Sequence, residues 1–170
     1  MKTAVVLKCE APSARRYIRA VTADARALLK LLSLHNCELS LVLTGDSPMR
    51  QLNRAFRGKD SSTDVLSFPQ LDNSAVVGGK RGAADGLPPA VLGDVVISVD
   101  TARRQAERLG VTPESRLRTL LIHGMLHLLG YDHEKSSARA RRMFARERAL
   151  DTALESRKSS VSRSQHLRNQ

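Results

Sequence analysis

Eleven residues, His123-Gly124-Met125-Leu126-His127-Leu128-Leu129-Gly130-Tyr131-Asp132-His133, carry three of the chain's five histidines. His123 and His127 stand four apart, which on an α-helix puts both side chains on one face about one turn apart. Gly130 follows where a helix commonly turns off through a left-handed residue. Beyond such a turn His133 can swing back toward the other two. Three neutral imidazoles meeting at one point make a zinc site with an open fourth position, the arrangement of a catalytic rather than a structural zinc. The ordinary alternative is a cluster of surface or core histidines. It has to explain polar rings set among Leu120, Leu121, Ile122, Leu126, Leu128 and Leu129, where each ring needs a partner.

The rest of the chain must build a body around this stretch. Its 170 residues suit one domain with a real core. Tryptophan is absent and aromatics are 3%, so the core has to be aliphatic. Val5 to Leu7 reads as a first strand. Pro12 and Ser13 open a helix, with Ser13 as its N-cap and Ile18, Val21, Ala25, Leu28, Leu29 and Leu32 as its apolar face. The other side of that helix carries Arg15, Arg16, Arg19, Arg26 and Lys30, a solvated face by default. Glu38 to Thr44 alternates as a half-buried strand does, and Ser47-Pro48 starts a second helix.

That helix ends near Gly58, a polar loop follows, and Val65 to Phe68 reads as a strand. Arg57 and Lys59 at this junction are suited to phosphate, and Arg54 and Lys59 are candidate contacts to a polyanion. A cation is equally favoured at a helix C-terminus, and spacing does not choose between the two roles for Arg57. Leu71 to Ala90, with four glycines and two prolines, reads as a long loop. Leu92 to Val99 is the strongest strand signal, a nearly continuous apolar run suited to a central strand buried on both faces. Asp100 then caps a helix ending at Leu109-Gly110. Thr112-Pro113-Glu114 opens the next helix, which runs into His123 and His127. A last helix spans Glu134 to Leu154, with Ala140, Met143, Phe144, Glu147 and Leu150 at helical steps. Residues 1–155 form the domain, and 156–170 read as a basic, disordered tail in which His166 is no ligand.

Net charge is +11 and the pI about 10.6, a balance that favours a polyanion such as nucleic acid. Cys9 and Cys37 give no disulfide framework, which fits a reducing cytosol. The apolar run at the N-terminus is too short for a signal peptide, and no run approaches membrane-spanning length.

Taken together, the metal stretch, Arg57 to Phe68 and Leu92-Gly93-Asp94 resemble the YbeY family of bacterial endoribonucleases. The family pattern His-Gly-x-Leu-His-Leu-x-Gly-Tyr-Asp-His is matched at every fixed place from His123 to His133, and its Thr-Asp/Asn-Val-Leu-Ser-Phe segment by Thr63 to Phe68. The resemblance covers roughly residues 4 to 150. It implies an α+β fold, a small mixed sheet of about four strands with about five helices around it. It also implies a cytoplasmic zinc-dependent endoribonuclease specific for single strands, acting at the 3′ end of 16S ribosomal RNA and in ribosome quality control. Its partners would be ribosomal RNA and the small subunit or its proteins. By the same resemblance His123, His127 and His133 are the zinc ligands, one ion per chain, and Arg57 is the basic residue implicated in activity. The 73–89 loop and the tail after Leu154 depart from the family pattern.

Two other readings compete. Histidines at 0, 4 and 10 with Gly at 7 reproduce the metzincin protease spacing, so the metal helix is zincin-like. The general-base Glu of those enzymes is replaced here by Gly124, which moves no proton. The other competitor is a non-catalytic RNA- or ribosome-binding assembly factor with structural zinc. In the enzyme reading Asp132 and Asp94 are candidate bases, each with an alternative role as an orienting or capping group. Base stacking is limited to Tyr17, Tyr131, Phe56, Phe68 or Phe144.

Overall fold

The computed structural model describes residues 3–70, 89–133 and 136–166, with side chains to residue 157. Four strands form one sheet: β1 (Ala4–Cys9), β2 (Cys37–Thr44), β3 (Val65–Pro69) and β4 (Ala90–Ser98). Their order is β1-β2-β4-β3. β1 and β2 run parallel, as do β2 and β4, while β3 pairs antiparallel at the edge, so the sheet is mixed. The helices are α1 (Ile18–Leu31), α2 (Asp46–Arg57), α3 (Val99–Leu109), α4 (Pro113–Leu128) and α5 (Ser137–His166). This is the α+β architecture expected from the sequence.

The alternation of β2 puts Leu39, Leu41 and Leu43 on one face, all fully buried. On that face lie α1, α4 and α5, and together they form the main core. A smaller apolar cluster, Met49 of α2 with Leu66 and Val96, covers the opposite face. β4 therefore sends Val95 and Ile97 into one core and Val96 into the other. That is why its sequence lacks a polar alternation. Helix α4 is apolar on nearly every side, as a helix enclosed by others must be. Its buried Arg118 is tied to α5 by Asp151 (2.6 Å) and Glu155 (2.5 Å).

Local signals at the helix ends divide. Thr112 caps α4 by accepting the Ser115 N–H, with Pro113 following, as the sequence indicates. Ser13 is not a cap: Pro12 opens a 3-10 turn, Pro12–Tyr17, whose N-cap is Ala11, and α1 starts only at Ile18. Asp100 is not the cap of α3 either. Ser98 accepts the Thr101 N–H, and the Asp100 carboxylate instead accepts the N–H of Asp46. Helix α5 continues to His166, past Leu154. No glycine or proline between 137 and 166 stops it. Of the segment read as a long loop, residues 71–88 lie outside those described, and Ala90 already belongs to β4. Among the described residues no helix is long and apolar enough to cross a membrane.

Candidate metal centre

α4 brings His123 and His127 to one face, and its C-terminus brings His133 back to them. The helix ends in a Schellman turn. Tyr131 donates its N–H to the Leu126 carbonyl (3.0 Å) and Gly130 to the His127 carbonyl (2.9 Å). Gly130 takes φ of +83°, a left-handed value that glycine reaches without strain. The chain thus reverses, and the ring centroids of the three histidines stand 4.6, 5.2 and 5.2 Å apart. One ligand atom from each lies within 4.8 Å of the others.

Glu147 of α5 lies 2.6 Å from His123 Nδ1. A carboxylate only accepts, so Nδ1 carries the proton and Nε2 of the neutral ring presents its lone pair. That Nε2 is 3.0 Å from His127 Nε2. Burial pushes the His127 pKa below its ordinary value, helped by His123 and His133 and opposed by Asp132. The neutral form, which binds metal, is thereby favoured. His133 Nδ1 is buried and has no hydrogen-bond partner among the described residues. The donor set therefore fits a metal. Nitrogens bound at 2.0–2.1 Å to a tetrahedral zinc stand about 3.3 Å from one another, close to the spacing of the His123–His127 pair.

The cluster opens into a cleft of about 480 Å³. Its other walls are the end of α2, with Phe56 and Arg57, and the stretch from Thr63 through β3 to Pro69. Arg57 occupies the last turn of α2, where a cation is favoured, and also lines this cleft. The turn after α2 is held by local bonds. Gly58 is left-handed, buried Asn53 donates to the Ser61 carbonyl (2.8 Å), and Arg50 grips Asp60 through two bonds of 2.8 Å. Arg54 and Lys59 are exposed near the same turn but do not line the cleft.

Neither candidate base lines the cleft. Asp94 accepts a bond from Gln70 (2.9 Å), and Asp132 lines a separate hollow with Tyr131, Arg139 and Arg142. The carboxylate in the cleft wall is Asp64, and it is fully engaged. Its oxygens accept from the Val65 N–H, Thr63, Gln105 and Arg116. Tyr17 is 1% exposed in the main core, so it is not a stacking surface. Glu147 was visible in the sequence only as a member of a helical stripe. A carboxylate at the buried step between Met143 and Leu150 was the signal of a partner across the interface.

Gly124 has a structural reason. A Cβ there would lie 2.7 Å from Val95 Cγ1 and 3.1 Å from the Ser67 hydroxyl, which donates to the Gly124 carbonyl. The helix packs on the sheet at that point, leaving no room for the glutamate a metzincin places after its first histidine. The protease reading gains no general base at this position.

Comparison with known proteins agrees with the geometry. The family model described as endoribonuclease YbeY matches residues 7–155. Endoribonuclease YbeY of Geobacter metallireducens is 49% identical over 132 residues, covering 77% of this chain and 82% of that protein. Its counterpart in Geobacter sulfurreducens is 46% identical over 145 residues, covering 85% and 89%. The solution structure of TM1509 from Thermotoga maritima shares the fold, with a TM-score of 0.63 at 21% identity over 92% of this chain and 93% of that one. A family match across almost the whole body of the fold, and relatives at nearly half identity, place the chain in the endoribonuclease YbeY family.

Proposed function

We propose that this protein is a zinc-dependent endoribonuclease that cuts unpaired RNA. Its setting is the maturation of ribosomal RNA in the cytoplasm, at the 3′ end of 16S RNA, together with ribosome quality control. One observation carries the chemistry: three converged imidazoles and one guanidinium share the walls of a single cleft in a chain of net charge +11. The family membership supports the reaction class, and the charge supports a ribosomal partner, RNA or a small-subunit protein bound to it.

His123, His127 and His133 would hold the ion. The chemistry a zinc ion supplies in such a site is Lewis acidity toward a phosphate oxygen or a water molecule. Glu147 fixes the His123 ring and its proton through Nδ1. Arg57 faces the place where a phosphate would sit and offers its planar fork to the charge that grows on the phosphoryl oxygens. Asp64 has a positioning role in the cleft wall. It anchors the start of β3 to α3 and α4 through Gln105 and Arg116, and so holds the wall opposite the histidines.

The test is incubation of the protein with an end-labelled unpaired RNA, the same RNA in a duplex, and casein. Wild type should cut the single strand, leave the duplex and casein intact, and lose cleavage in His127→Ala. Binding without cleavage in both proteins would replace the enzyme by an assembly factor. Cleavage of casein would restore the protease.

A further inference from the structure

The chain has three phenylalanines and no tryptophan. None of the three is in the main core, whose fully buried aromatic is Tyr17. A phenyl ring contributes most where it is buried, yet these rings gather near the metal centre instead. Phe56 is 66% exposed, and it forms the cleft wall beside Arg57. A lone exposed apolar side chain is ordinary; this one is held in a set orientation. Phe68, also in the wall, meets it edge-on with ring centroids 4.9 Å apart and planes at 65°. On the α5 side, Phe144 is 42% exposed, and its centroid lies 6.0 Å from that of His133.

We infer that Phe56 and Phe144 are stacking platforms for unpaired bases next to the phosphate that the cleft receives. This rests on the ribonuclease reading and supplies its preference for single strands. In a duplex the faces of each base are covered by its neighbours, whereas two exposed rings beside one metal cluster call for free faces. Arg57 adjoins Phe56 in sequence, so one turn of helix offers both a phosphate grip and a base platform. Phe68 preorganises the Phe56 ring, which lowers the ordering cost of binding. Stacking tolerates any base, since every base has a π-face. The site therefore selects for strandedness more than for sequence.

The experiment uses a single-stranded RNA with 2-aminopurine beside the cleaved bond, read by its fluorescence and by cleavage. Wild type should quench the fluorescence on binding. Phe56→Leu keeps an apolar side chain against Phe68 but lacks a ring face. It should quench weakly and raise KM about tenfold with kcat little changed, and Phe144→Leu should act the same way more mildly. Phe56→Tyr should restore both readouts, which a purely structural role would not require. An abasic site at the same nucleotide should cost wild type what Phe56→Leu costs, and the two changes should not add. Quenching and KM unchanged in both leucine variants would overturn the inference while leaving the nuclease intact. Phe56-dependent quenching without cleavage by wild type would do the reverse.

Discussion

Glu147 shows how one side chain can set the state of a site it does not enter. Its carboxylate reaches His123 Nδ1 from a different helix, and only a quarter of the His123 side chain is exposed. The bond orients the ring and leaves Nε2, not Nδ1, facing the cluster. Glu147→Gln keeps the shape but removes the charge. It should weaken zinc affinity by about 10–100-fold, measured by competition with a chromogenic chelator. Zinc binding equal to wild type would mean that the carboxylate charge is not needed, since the Gln amide oxygen can still accept from Nδ1. Gly124 makes the complementary point: its lack of a side chain lets α4 lie against Val95 and Ser67, and the same contact excludes a glutamate base.

At the scale of elements, the junction of α2 and α3 is tied by Asp46. One of its oxygens accepts from Ser98 (2.6 Å), Thr101 (2.7 Å) and Ser62 (3.0 Å), and the other pairs with Arg104 (2.7 Å). Burial raises the pKa of this carboxyl, but the bonds from Ser98, Thr101, Arg104 and Ser62 outweigh it and hold it at about 2. A folded-state value below the ordinary 3.8 means that the folded state favours the carboxylate. Its stabilisation is complete above that ordinary value and fades as pH falls through the folded one. Asp46→Asn should therefore cost about 2 kcal/mol at neutral pH. The gap from wild type should close as urea unfolding is repeated at pH values falling below 4. A gap independent of pH would show that the charge is not what matters.

The same junction explains what could be read in advance. The cap at Thr112 was legible because cap, proline and acid are neighbours in sequence. The cap at Ser98 was hidden because Asp100 looked like the better candidate, and its carboxylate is drawn away by Asp46, a residue 54 positions distant. Strand β4 was legible as buried on both faces from its own apolar run. The antiparallel placement of β3 at its edge was not, since strand order depends on pairings between distant segments. The histidine cluster was legible because all three side chains lie in one helix and the turn that follows it. Glu147, 24 residues away on α5, had no local partner to reveal it.

The whole molecule carries its charge in helical stripes as well as around the cleft. Arg139, Arg142 and Arg146 are exposed on α5, and the first two line the hollow beside Tyr131 and Asp132, next in sequence to His133. If RNA runs from the cleft along α5, each phosphate neutralised adds about −0.7 to the slope of log K against log salt. Replacing all three by alanine should make that slope shallower by about 2, measured by fluorescence anisotropy on an unpaired RNA. An unchanged slope would send the strand elsewhere on the surface.

The central claim is that three histidines hold one ion and that this ion is required for RNA cleavage. The most direct measurement strips the protein with a chelator, then adds zinc back in steps while both bound metal and RNA cleavage are followed. The account predicts that cleavage disappears on stripping and returns in proportion to bound zinc. Both should saturate at one ion per chain, and His127→Ala should recover neither. Full cleavage by the stripped protein, or a His127→Ala variant that still cuts, would contradict it.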